Sequence, residues 1–101
     1  MIRPDIFIND IDRLIFDAFK KQLPPKLSVI YEGYGPKGFF TVVRQGFFFH
    51  EIAHIISDDD TSVRPYFRWY VNRRTEQLIR KIIDDSKAYL ATHPVKPQTA
   101  P

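Results

Sequence analysis

Apolar residues recur along this chain with two periods, and the first change of period falls at a pair of prolines. Up to that point they follow helical spacing, as Ile11, Leu14, Ile15, Ala18 and Phe19, with Asn9 or Asp10 placed to cap the first turn. Pro24 and Pro25 end this helix, because neither ring can continue the hydrogen-bond ladder. Asp12, Asp17, Lys20 and Lys21 are assigned to its solvated face. From Lys26 to Tyr34 the period becomes two: Leu27, Val29 and Tyr31 alternate with Ser28, Ile30 and Glu32. Gly33, Gly35, Pro36 and Gly38 punctuate a turn, and Phe39–Arg44 is rich in β-branched and aromatic residues. The two runs predict an antiparallel pair.

Gln45-Gly46 breaks the pattern before Phe47–Ile56. Over that stretch Phe48, Phe49, Ile52, Ala53, Ile55 and Ile56 share one arc of a helical wheel, while His50, Glu51 and His54 lie opposite, with Phe47 among them. Neither face of a strand over the same residues is clean, so the spacing predicts a helix. Ser57–Ser62 reads as an acidic loop without the ligand spacing of a calcium loop. Pro65 suits the first turn of a helix, and a stripe containing Val71, Thr75, Leu78, Ile79, Ile82, Ile83, Tyr89 and Leu90 predicts a long one from Tyr66 to about Ala91. The expected fold is α+β: one small domain over residues 1–93, with two or three antiparallel strands packed against about three helices. Residues 94–101, with Pro94 and Pro97, form a polar tail.

Composition narrows the chemistry. A chain of 101 residues supports one modest core, and 44% hydrophobic content with nine Phe, five Tyr and one Trp is enough to build it. The chain has no cysteine, so disulfides and thiolate metal sites are excluded, and any metal must use His, Asp or Glu. No apolar run approaches the ~20 residues of a membrane span, and the N-terminus lacks a signal-peptide core; a cytoplasmic protein is expected. A net charge of +3 permits contact with nucleic acid without demanding it.

The predicted helix at 47–56 contains His50-Glu51-x-x-His54. On a helix the two imidazoles lie one turn apart on one face and can share a zinc ion, with Glu51 beside them as general base for a bound water. Glu76, on the edge of the last helix's apolar stripe, is the candidate third ligand; an ion pair with Arg73 or Arg80 is its alternative role.

The order helix, strands, H-E-x-x-H helix, loop, Glu-bearing helix resembles the small zincins of the gluzincin type, the minigluzincins. That resemblance implies a zinc-dependent metallopeptidase acting on peptides, with His50, His54 and Glu76 on the metal and Glu51 catalytic. Two positions depart from the family pattern: Phe47 stands three before the first His, and Thr75 precedes Glu76.

Two other readings compete. If residues 47–55 form a third strand, the order αβββα with the GPKGFFTVV hairpin resembles a double-stranded-RNA-binding domain. Arg64, Arg68, Arg73 and Arg74 interleave with Tyr66, Phe67, Trp69 and Tyr70, a mixture suited to phosphate contact and base stacking. The aromatic excess also suits a structural or assembly subunit, for example a viral or complex component, with an apolar surface for oligomer formation.

Overall fold

The computed structural model of the chain describes residues 7–45 and 50–93. Six elements follow in order: α1 (Asp10–Gln22), β1 (Leu27–Tyr34), β2 (Lys37–Arg44), β3 (His50–Asp59), β4 (Ser62–Phe67) and α2 (Arg73–Thr92). The strands form one antiparallel meander in the order β1-β2-β3-β4. The fold is therefore α+β, with four strands where the sequence pattern predicts two or three, and two helices where it predicts about three. The expected tail, residues 94–101, and Phe47–Phe49 lie outside the described residues.

The sheet has one covered and one open face. Tyr31 pairs with Phe40, Phe40 with Ile55, and Val42 with Ala53; these side chains share a face and are buried. Ile11, Ile15 and Phe19 of α1 and Ile79, Ile82 and Ile83 of α2 complete this core. Burying each such side chain contributes about 1.5–3 kcal/mol, which offsets the entropy of ordering so short a chain. The opposite face carries Ile30, Thr41, His54 and Tyr66 side by side across the four strands. Ile30 and Tyr66 remain exposed there.

The β1–β2 hairpin closes on Gly35-Pro36, between the paired residues Tyr34 and Lys37. Gly35 has φ 59°, the left-handed region that a two-residue hairpin needs at its first position. The 57–62 segment, expected as a loop, is mostly strand. The turn is only Asp60-Thr61, held by the Asp59 carboxylate, which accepts from the backbone N–H groups of Thr61 (2.8 Å) and Ser62 (2.9 Å).

Two helix boundaries are corrected. Residues 50–56, predicted as part of a helix over 47–56, belong to the strand β3, because β2 and β4 satisfy its backbone groups in a ladder. The helical look of the segment comes from a bulge. Val42 pairs with Ala53 and Val43 with Glu51, leaving Ile52 as an extra residue. Ile52 and Ala53 are consecutive and both fully buried, which breaks the alternation expected of a strand. The long helix begins at Arg73 rather than near Tyr66. Asn72 caps it by accepting from the Thr75 N–H at 2.7 Å. Residues 62–67 instead form the edge strand β4, where Pro65 is tolerated.

Candidate functional site

The bulge at Ile52 decides where the H-E-x-x-H side chains go. In a regular strand residues 50 and 54 share a face, while 51 and 54 do not. Here Glu51 is opposite Val43 and His54 is opposite Thr41; Val43 and Thr41 are two apart on β2, so Glu51 and His54 share the open face. His50 is opposite Arg44 and is directed to the other side of the sheet. The two imidazoles that zinc would need together are therefore separated.

Glu51 is engaged as an ion-pair partner. Its Oε1 accepts from Arg68 Nη2 at 2.7 Å and contacts His54 Nε2. Partial desolvation pushes its carboxyl pKa up, but the Arg68 guanidinium and the His54 ring outweigh it, and the pKa falls below the ordinary value. A carboxylate held this way is a poor acceptor for a proton from water. Tyr70 reinforces the arrangement by donating its hydroxyl to the Glu51 carbonyl. The His54 ring tilts against Phe39 at 4.9 Å, and its buried Nδ1 has no hydrogen-bond partner among the described residues.

Glu76 lies elsewhere. Its carboxylate accepts from Arg80 Nε at 3.1 Å, the alternative role named for it. Arg80 in turn stacks over Phe67, which shares the covered face with its partner Ala53. Glu76 is thus on the helix side of the sheet and His54 on the open side. Among the described residues no three His, Asp or Glu side chains come close enough to hold a metal ion. The residues present do not fit a zinc site of the expected kind.

A different constellation forms where β4 leads into α2. Backbone hydrogen bonds from Arg68 N–H to the Ile52 carbonyl (2.9 Å) and from Val71 N–H to the Arg68 carbonyl (3.2 Å) fold the 68–72 turn over the end of the sheet. Trp69 protrudes from this turn and is 92% exposed. Its ring meets Tyr70 edge-on at 5.5 Å. Tyr66 and Tyr70 are also exposed, and the Arg64 guanidinium lies 5.9 Å from the Tyr66 ring centre. Arg64 pairs with Asp58 at 3.0 Å, and Arg68 with Glu51. Arg73 and Arg74 open α2, are exposed, and have no ion pair among the described residues. They stand at the positive end of the helix dipole, where cations are disfavoured by about 0.3–1 kcal/mol each.

The sequence pattern misassigns one polar centre. Asp12, expected on a solvated face, is fully buried. Its Oδ2 accepts from the Tyr31 hydroxyl at 2.6 Å and from the Asn9 N–H at 3.2 Å, and its Oδ1 accepts from the Ser57 hydroxyl. The signal was available: an acid three residues after an Asn cap is the pattern of a capping box, which turns the carboxylate back over the helix start.

The chain matches no family model, and neither a curated protein nor a solved structure matches it significantly. The order helix, four strands, helix has one strand more than the αβββα arrangement. No helix among the described residues is long and apolar enough to cross a membrane.

Proposed function

We propose that this protein is a non-enzymatic nucleic-acid-binding module that works through the β4–α2 corner. The observation that carries this reading is the 92% exposure of Trp69, the chain's single tryptophan, beside arginines. An indole left in water forgoes the largest burial gain available to a side chain, and α2 begins with two cations against its own dipole. Both features are unfavourable for folding and favourable for a polyanion with flat rings. Arg73 and Arg74 supply phosphate contacts, and Trp69, Tyr66 and Tyr70 supply stacking surfaces. Stacking requires bases with a free face, so unpaired strands or ends are the preferred substrate. Hydrolysis at His50, Glu51 and His54 has no comparable support, since the imidazoles diverge and the carboxylate is paired.

Trp69 reports on its own site. Titration with a single-stranded oligonucleotide at low salt is expected to quench its fluorescence. Arg73→Ala with Arg74→Ala is expected to reduce the slope of log K against log salt by about 1.4, that is, about 0.7 per phosphate contact on a single strand. Unchanged fluorescence at low salt, or a salt slope indifferent to the two arginines, overturns the proposal.

A further inference from the structure

The two edges of the sheet are built differently. At one edge β4 is short, contains Pro65, carries Arg64 and follows a register shift near Asp58. These features discourage pairing with another strand. At the other edge β1 runs for eight residues, LSVIYEGY, without proline or lysine, and its only charge is Glu32. In the β1–β2 pair the Lys26 carbonyl accepts from Gln45 N–H at 2.7 Å. Alternation then turns the backbone groups of even-numbered β1 residues toward β2, and those of Val29, Tyr31 and Gly33 outward.

Below this edge, on the covered side, a cavity of about 320 Å³ opens between α1 and β1. Phe16, Phe19, Leu23, Leu27 and Val29 supply its apolar lining, with Lys20 at its rim. On the opposite side of the strand Ile30 is 45% exposed. Among the described residues no strand pairs with this edge, which therefore presents backbone groups with apolar surface both above and below.

We infer that β1 pairs antiparallel with β1 of a second copy of this chain, joining the two sheets into one of eight strands. Antiparallel partners must share a face, so only residues of like parity can oppose each other about the two-fold axis. An axis at Val29 sets Val29 against Val29, Leu27 against Tyr31 and Ser28 against Ile30. The same axis sets Lys26 against Glu32 twice. Axes at Ile30 or Tyr31 lose this match, placing Glu32 opposite Ser28 or Ile30. Charge complementarity thus selects both the second copy and the register, since each chain carries both members of the pair, Lys26 in the turn just before β1 and Glu32 within it. The two cavities meet beneath the new ladder and form a shared apolar layer. The β4–α2 corners remain at the outer ends, so this assembly does not depend on the nucleic-acid reading.

The test is the mass of the full chain in solution by light scattering and sedimentation across a concentration series. The wild type is expected to be a dimer. Val29→Pro removes an outward N–H without touching the β1–β2 ladder and is expected to give a folded monomer. Lys26→Glu alone and Glu32→Lys alone each create two like-charge contacts and are expected to raise the dimer dissociation constant about tenfold or more. An equimolar mixture of these two variants restores both pairs and is expected to form the mixed dimer. A wild type that stays monomeric throughout, a dimer indifferent to Val29→Pro, or charge variants that mixing does not rescue would each overturn the inference.

Discussion

Gly38 and Asp12 are packed so closely that no side chain fits between them: a Cβ on Gly38 would stand 2.1 Å from Asp12 Oδ2 and 2.6 Å from Ser57 Oγ. The glycine serves a space requirement here, letting the first helix bring a buried carboxylate onto the sheet. Gly38→Ala is expected to cost about 3 kcal/mol, because the carboxylate and its three donors must move together. Thermal melting checks this, and a drop of less than roughly 4 °C would show that the network yields easily.

Asp12 gives stability an acid-side dependence of definite sign. Burial raises its pKa, with the Asp60 charge a minor addition, and the hydrogen bonds from Ser57, Tyr31 and Asn9 only partly oppose the rise. The native state therefore holds this proton more tightly than the unfolded chain does. Stability from Asp12 falls as pH rises from the ordinary Asp value through the raised native value, and is level above that. In Asp12→Asn the amide oxygen keeps the Tyr31 and Asn9 donors while Ser57 accepts from the amide nitrogen. Urea midpoints of the variant across a pH series are expected to lose this slope.

Glu51 has the opposite sign. Its lowered native pKa means that its contribution is present above the ordinary Glu value and disappears as pH falls through the lowered one. Glu51→Gln is expected to flatten this part of the profile and to release Arg68. The check is a pH series of melting temperatures, in which wild type and variant converge at the acid end.

Excess zinc is expected to leave the melting temperature of the wild type unchanged. A ligand of the folded state raises stability by mass action, and the separated imidazoles of His50 and His54 offer no shared position. A zinc-dependent rise that His54→Ala abolishes would contradict the geometry of β3.

Arg73 and Arg74 allow stability and binding to be pulled apart. Replacing both with Glu places acids at the N-terminus of α2, which is expected to stabilise the protein by about 0.5 kcal/mol per residue. The same change is expected to abolish oligonucleotide binding. Melting and Trp69 fluorescence on one sample read both effects, and loss of binding with increased stability cannot be attributed to unfolding.

Local pattern by itself determined α1, the first hairpin and most of α2. Ile11, Ile15 and Phe19 at helical spacing, the prolines at 24 and 25, and the alternation from Leu27 to Arg44 each have one low-energy local solution, and the tertiary structure adopts it. Residues 50–67 were decided only by tertiary structure. Ile52 and Ala53 are both buried because a bulge lets two neighbours face the core, and that bulge exists only because β2 sets the register of β3. It also reverses the H-E-x-x-H segment, bringing Glu51 beside His54 and sending His50 to the other face. Pro65 and Tyr66 carry helix-compatible local signals, yet they form β4 because β3 presents an open ladder beside them. Asp12 follows the same logic: its spacing on α1 permits exposure, but its burial depends on donors from β1 and β3, 19 and 45 residues away in the chain. Hydrophobic period reports which face of an element meets a core, whereas pairing partners and buried polar contacts depend on residues distant in sequence, which no local window contains.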